Sequence, residues 1–316
     1  MKKHTFNNGD TIDILGLGTW KSDSNEIKTA IHSALDAGYR HIDCAYVYGN
    51  ETAVGEALQE YFAKNDLKRE DIWLTSKLWN TAHLPEHVKP AIQETLDALQ
   101  TDYLDLYLMH WPVAFQPDLK GFPGKSEDFL SLNEAPLKDT WEAMLAAKNE
   151  GLIKHAGVSN FSQEKLEHLI ENSAEKPEMN QIELHPYLQQ EDMLDFCQKQ
   201  DIGLTAYSPL GSKDRIPQMK APDEPSLLEN KVINEIAEKH NASPAQILIK
   251  WAIDRETVVI PKSTNPERIQ QNFESLQVEL DDQDRQHIKE LDRHFRYVNG
   301  KFFETEDGKY ENIFDE

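Results

Sequence analysis

Residues 38–63 read GYRHIDCAYVYGNETAVGEALQEYFA, and their pattern decides the fold. A short apolar run closes on His41-Ile42-Asp43, a loop carrying Tyr48 follows, and a helical pattern occupies 51–63. Strand, loop and helix in that order make one β-α unit, with an acid standing at the strand's end. The unit recurs on both sides. Upstream, the apolar run 14–18 precedes Ile27, Ala30, Ile31, Ala34 and Leu35 at helical spacing. Downstream, strand-like runs fall at 72–76, 103–109, 153–158, 179–182, 202–206 and 258–260. Helical stretches separate them, among them one after Pro85, one over 137–149 and one opening near Pro266; a proline suits a helix's first turn.

Eight such alternations without a long Pro/Gly/Ser linker imply a parallel sheet with right-handed crossovers. That count over 316 residues suits a closed α/β barrel, the (β/α)8 TIM barrel, better than an open sheet. The chain is expected to be a single domain over 1–316. Its first segment, 1–13, contains Asn8-Gly9 between apolar positions and predicts a β-hairpin that plugs the barrel's N-terminal end. Its last, 274–316, predicts a helix and a tail whose Phe295, Tyr297, Phe302 and Phe303 pack over the active-site rim. Gly16-Leu17-Gly18 follows a strand as a dinucleotide fingerprint would, but Lys21 stands where the third glycine belongs, so a doubly wound fold is rejected.

Composition narrows the partners. The chain has 33 Lys and Arg against 56 Asp and Glu, a formal charge of −23. An acidic surface of that size excludes a general basic footprint for nucleic acid and disfavours anionic membranes. Cys44 and Cys197 cannot form a disulfide framework, MKKHTFNNGD carries no apolar run of a secretory signal, and no stretch approaches a bilayer span. A cytoplasmic protein without nucleic-acid or membrane partners is expected.

In a (β/α)8 barrel the chemistry sits at the C-terminal strand ends. Asp43, Lys77 and His110 fall at the ends of the second, third and fourth strands, one β-α unit apart, and Tyr48 lies on the loop above Asp43. A phenol with a usual pKa of about 10 exchanges protons poorly near neutrality, and a neighbouring ammonium lowers that value. Asp43 would hold Lys77 charged, Lys77 would tune Tyr48, and His110 would orient a carbonyl oxygen beside the Tyr48 hydroxyl. This is equipment for protonating a carbonyl oxygen while hydride reaches its carbon; the hydride needs a cofactor. Each residue alone has an ordinary structural role in a cap, a packed ring or a solvated cation. Their coincidence at matching strand ends carries the inference. No metal site is expected, because His and carboxylate ligands are not clustered.

With those residues in place the chain resembles the aldo-keto reductase family, and closely its aldose and aldehyde reductase branch. The matching stretches are GLGTW at 16–20, GYRHIDCAYVYGNE at 38–51, SKLW at 76–79, DYLDLYLMHWP at 102–112, GVSNF at 157–161, NQIELHPYLQQ at 180–190, TAYSPLGS at 205–212 and IPKSTNPERIQQN at 260–272. The resemblance implies a (β/α)8 barrel using NADPH without a Rossmann domain. It makes Tyr48 the proton donor, Asp43 and Lys77 its tuning pair, and His110 the orienting donor. Ser159, Asn160 and Gln181 would hold the nicotinamide carboxamide and Tyr207 would stack on the ring, with Thr19, Trp20 and Asp43 beside that half. Ser208, Pro209, Leu210 and Ser212 would cross the pyrophosphate. Lys262, Ser263, Thr264 and Arg268 would grip the 2′-phosphate, and Gln271 and Asn272 would meet adenine. Gln271 departs from the Glu of many relatives, so NADH stands as a weaker alternative.

Trp20, Trp79 and Trp111 each follow a strand end, and Phe115 and Phe122 lie on the next long loop. With Tyr48 and His110, the resemblance makes Trp20, Trp79, Trp111 and Phe122 the substrate pocket. Aromatic walls with few polar anchors favour an apolar or amphipathic aldehyde, with sugar aldehydes and some ketones as further small-molecule substrates. Arg296 in the tail is a candidate contact for an anionic substrate. The resemblance also implies a monomer. The alternative reading is a catalytically weak NADPH-binding sensor or scaffold of the same fold.

Overall fold

The computed structural model describes residues 2–213, 215, 220 and 224–316. Among them a hairpin of β1 (Lys3–Thr5) and β2 (Thr11–Asp13) precedes the first barrel strand, β3 (Leu17–Gly18). The β-α series then runs α1 (Ser24–Ala37), β4 (His41–Asp43), α2 (Glu51–Phe62), β5 (Trp73–Leu78), α3 (Pro85–Leu99) and β6 (Leu104–Met109). A two-stranded excursion, β7 (Ala114–Phe115) and β8 (Phe129–Leu130), leads to α4 (Leu137–Asn149), β9 (Ile153–Ser159), α5 (Gln163–Asn172), β10 (Met179–Glu183), α6 (Glu191–Lys199) and β11 (Gly203–Tyr207). The chain continues with α7 (Lys231–Lys239), α8 (Pro244–Asp254), β12 (Val258–Val259), α9 (Pro266–Glu274) and α10 (Asp282–Lys289).

Eight of the described strands form one parallel sheet in the order β12-β11-β10-β9-β6-β5-β4-β3. Its two edges meet. Leu15 and Val259 form a parallel bridge, as do Gly18 and Lys262, and Gly16 N–H donates to Val259 O at 2.9 Å. That closure makes the (β/α)8 barrel expected from the alternation. Helices cover the outside, which is why β6 and β10 are buried at every position.

Local chemistry sets the helix ends. Asp23 caps α1 by accepting from the N–H groups of Asn25 and Glu26, and Gly38 closes it at φ 111°, a conformation that favours glycine. Ser243 and Gln246 form a capping box on α8, and Asn265 caps α9 through the N–H of Arg268. The inward stripe of α1 is Ile27, Ala30, Ile31, Ala34 and Leu35, all buried as their spacing predicted.

The hairpin covers the N-terminal end of the barrel. Phe6 stacks on Trp73 and His155 near the starts of β5 and β9, and Asp10 accepts a hydrogen bond from His155 Nε2 at 3.0 Å. Its connection is wider than a two-residue turn. Residues 6–10 loop out, with Gly9 at φ 91°, because the ladder pairs Thr5 with Thr11. The tail packs over the opposite end, where Tyr310 donates to Leu130 O and accepts from the Ala114 N–H, and Phe303 meets Trp111 at 5.1 Å between ring centroids. One helix was not anticipated as separate: α7 stands beside α8 in the crossover between β11 and β12. No described helix is long and apolar enough to cross a membrane.

Candidate active site

The barrel places the four strand-end residues together. Asp43 ends β4, Lys77 is the penultimate residue of β5, and His110 follows β6. The parallel register sets Asp43 opposite Thr75, two residues before Lys77, so the side chains converge on one rim. Lys77 Nζ donates to Asp43 Oδ1 at 2.5 Å, to Cys44 O at 2.8 Å and to the Tyr48 hydroxyl at 3.4 Å. Asp43 Oδ2 accepts from Gln181 Nε2 at 2.7 Å. The His110 ring lies edge-on to Tyr48, with centroids 6.0 Å apart.

The electrostatics sharpen one expectation and reverse another. Burial works against charge on Lys77, but Asp43 and Tyr48 outweigh it and raise the ammonium's pKa, so the cation persists. For Tyr48, burial raises the phenol above its ordinary value and Asp43 adds to this; Lys77 opposes both without overcoming them. The expected lowering by Lys77 is therefore present as a contribution but not as the net result. Tyr48 stays protonated, as a proton donor must. His110 is pushed well below the ordinary histidine value by burial first, then by Lys77 and His83, and is a neutral imidazole at neutral pH.

These residues open into a cavity of about 820 Å³, a size suited to a large bound molecule. Every catalytic, cofactor and pocket residue that the resemblance implied lines it except Lys77, which is sealed beneath the floor. Around β9, Ser159 donates to Gln181 O, Asn160 Nδ2 donates to His110 O at 2.9 Å, and Asn160 Oδ1 accepts from the Tyr207 hydroxyl at 2.7 Å. Thr19 Oγ1 donates to Asp43 O at 2.8 Å, tying β3 to β4. The network locks Ser159, Asn160, Gln181 and Tyr207 into one polar wall.

A second wall follows β11. Ser208 and Ser212 both adopt positive φ, and their hydroxyls meet at 2.7 Å across the turn formed with Pro209, Leu210 and Gly211. Farther along, Lys262, Ser263 and Thr264 precede α9, whose first turn carries Arg268 and whose later turns carry Gln271 and Asn272. Arg268 is exposed. Cations at a helix N-terminus, where backbone N–H groups also point, make this end suited to a phosphate. The cavity thus fits an elongated anionic molecule, with its charged end at α9 and its other end at Tyr48.

Trp20, Trp79, Trp111 and Phe122 line the Tyr48 end, with Phe122 the most exposed at 64%. Phe115, in contrast, is wholly buried and braces Trp79 at 5.8 Å. The tail adds Val298, Phe302 and Phe303 to this wall. Sequence reading placed the tail over the rim without singling out Val298, and it missed Val47 and Lys21, which also line the cavity. The position of Val47 one residue before Tyr48 was the signal available for it. Arg296 turns elsewhere: its guanidinium lies 3.8 Å over the Phe314 ring and pairs with Glu316, within the tail itself.

Comparisons with known proteins agree with this fold. The model described as "Aldo/keto reductase family" matches residues 14–293. An aldo/keto reductase of Synechocystis sp. is 50% identical, over 100% of this chain and 97% of that protein. The aldo-keto reductase family 1 member A1 of Gallus gallus is 46% identical, over 93% of this chain and 91% of its own. Among solved structures, the aldose reductase from Schistosoma japonicum superposes with a TM-score of 0.87 at 38% identity, covering 96% of each chain.

Proposed function

The chain belongs to the aldo/keto reductase family, and from that premise we propose that it reduces aldehydes, sugar aldehydes among them, and some ketones to alcohols with NADPH. The observation that carries this is the Lys77 ammonium, held by Asp43 and reaching the Tyr48 hydroxyl beneath the cavity floor. Tyr48 donates its proton to the carbonyl oxygen of the substrate. Lys77 stabilises the phenolate left behind, and Asp43, itself fixed by Gln181, keeps Lys77 charged and in place. His110, neutral and at the same wall, orients the carbonyl oxygen by hydrogen bonding. Aromatic side chains from Trp20, Trp79, Trp111 and Phe122 exclude water around the carbonyl.

A nicotinamide dinucleotide bound in the cavity would supply the hydride. Ser159, Asn160, Gln181 and Tyr207 would hold its nicotinamide end beside Thr19 and Trp20, and Ser208, Pro209, Leu210 and Ser212 its pyrophosphate. Lys262, Ser263, Thr264 and Arg268 would hold a 2′-phosphate, and Gln271 and Asn272 the adenine. Two cations near a helix start favour NADPH, with NADH the weaker alternative. On this reading residues 1–316 form one domain that works as a cytoplasmic monomer, without nucleic-acid or membrane partners.

The test follows NADPH oxidation against a panel of aromatic, short-chain and sugar aldehydes, for the native protein and Tyr48→Phe. Turnover in the native protein and a loss of about 10²–10⁴-fold in the variant, with NADPH binding retained, are expected. A variant as fast as the native protein overturns the assignment of the proton donor. Tight NADPH binding with no turnover across the panel would favour a sensor or scaffold instead.

A further inference from the structure

Glu183 is the last residue of β10, and its side chain is wholly removed from solvent. It faces the tail. Oε1 accepts from His185 Nε2 at 2.8 Å and from the backbone N–H of Tyr297 at 2.6 Å. Oε2 accepts from the N–H of Val298 at 2.7 Å. Burial pushes the carboxyl's pKa up, but the His185 hydrogen bond, aided by Arg296 and the tail N–H, outweighs it and holds Glu183 below the usual carboxylate range.

Tyr297 and Val298 lie in irregular backbone, with both side chains buried, so their N–H groups need partners from elsewhere. A carboxylate serves because both its oxygens only accept. Glutamine would not. Whichever way its amide turns, an NH₂ group faces the N–H of Tyr297 or that of Val298.

Beyond this clamp the tail builds part of the cavity wall. Val298, Phe302 and Phe303 line it, and Tyr297 is tethered on its other side by a hydrogen bond from its hydroxyl to Pro225 O at 2.8 Å. We infer that Glu183 is a positioning residue for the acceptor side of the site: it fixes the tail so that Val298, Phe302 and Phe303 form a wall that favours bulky apolar aldehydes over short ones. This rests on the reductase reading above. Glu183 touches neither reacting group, and its effect passes through the tail.

The experiment compares full-length native protein with Glu183→Gln, using a bulky aromatic aldehyde and a three-carbon aldehyde. KM for the aromatic substrate is expected to rise about tenfold, while kcat and KM for the short aldehyde and the Kd for NADPH stay within about twofold. Amide hydrogen exchange at Tyr297 and Val298 should quicken in the variant without change in β10. Equal effects on both aldehydes, or no effect on either, overturn the inference. Should the variant fail to fold, exchange in the native protein decides: protection at Tyr297 and Val298 comparable to β10 supports the clamp, and exchange at the rate of an exposed loop refutes it. Native protein that reduces no aldehyde overturns the reductase reading and the specificity role with it, whereas the exchange measurement still reads the clamp by itself.

Discussion

The ammonium of Lys77 lies 2.5 Å from Asp43 Oδ1, and both side chains are sealed from solvent. Either charge alone at this depth would be uncompensated. Asp43→Asn or Lys77→Met should each cost ~3–5 kcal/mol of stability. The double variant should cost clearly less than the sum, because it strands no charge. Urea unfolding of the four proteins checks this; additive losses would mean that the pair is not coupled.

Lys77 also opposes the upward pressure that burial and Asp43 exert on the Tyr48 phenol. Removing the cation should raise that pKa further. In Lys77→Met the alkaline limb of kcat/KM should therefore move to higher pH, while the plateau falls by about 10²-fold or more as phenolate stabilisation is lost. A limb that stays in place, or moves down, would show that Lys77 does not act on Tyr48.

The cations before and within α9 give a cofactor prediction. Lys262→Ala and Arg268→Ala should each weaken NADPH by about tenfold or more, since a charge-assisted hydrogen bond to phosphate is lost, and leave NADH nearly unchanged. Fluorescence titration with both dinucleotides reads the difference. Equal weakening of the two would remove the 2′-phosphate from this place.

Glu51 predicts a pH dependence of stability. It is buried at the start of α2, donates nothing when ionised, and accepts from Ser76 Oγ at 2.5 Å. Burial raises its pKa from 4.5 to about 7, with Ser76, Thr95 and Lys77 opposing. A raised carboxyl pKa means that the folded state holds the proton more tightly than the unfolded chain. The group's contribution is fully present below about pH 4.5 and is lost as pH rises through about 7, to the extent of on the order of 2–3 kcal/mol. Glu51→Gln should remove this loss, so its urea midpoint should fall less than the native one between about pH 5 and about pH 8. Parallel curves for the two proteins would refute it.

Much of the site was legible because strand ends repeat at a fixed interval. Once the eight alternations are counted, Asp43, Lys77 and His110 must share a rim, and the hydrogen bonds of Lys77 to Asp43 and Tyr48, with the His110 ring beside Tyr48, place them together. The sign of the Tyr48 shift was not legible, because it depends on how much water the fold excludes relative to one ammonium at 3.4 Å. The direction of Arg296 was also hidden. A cation two residues before the wall position Val298 could face the cavity or its own tail, and only the stacking on Phe314 decides.

The sequence by itself determined the barrel, the hairpin at one end, the aromatic tail at the other, and the polar residues at the strand ends. Periodicity and spacing are local properties, and a closed parallel sheet converts them directly into neighbours. Tertiary structure alone decided the energetics of those neighbours. It set the burial that makes Tyr48 a weaker acid than its cation would suggest, the neutral state of His110, and the long-range clamp from Glu183 to Tyr297 and Val298. These depend on desolvation and on contacts between residues more than a hundred positions apart, which no local pattern encodes.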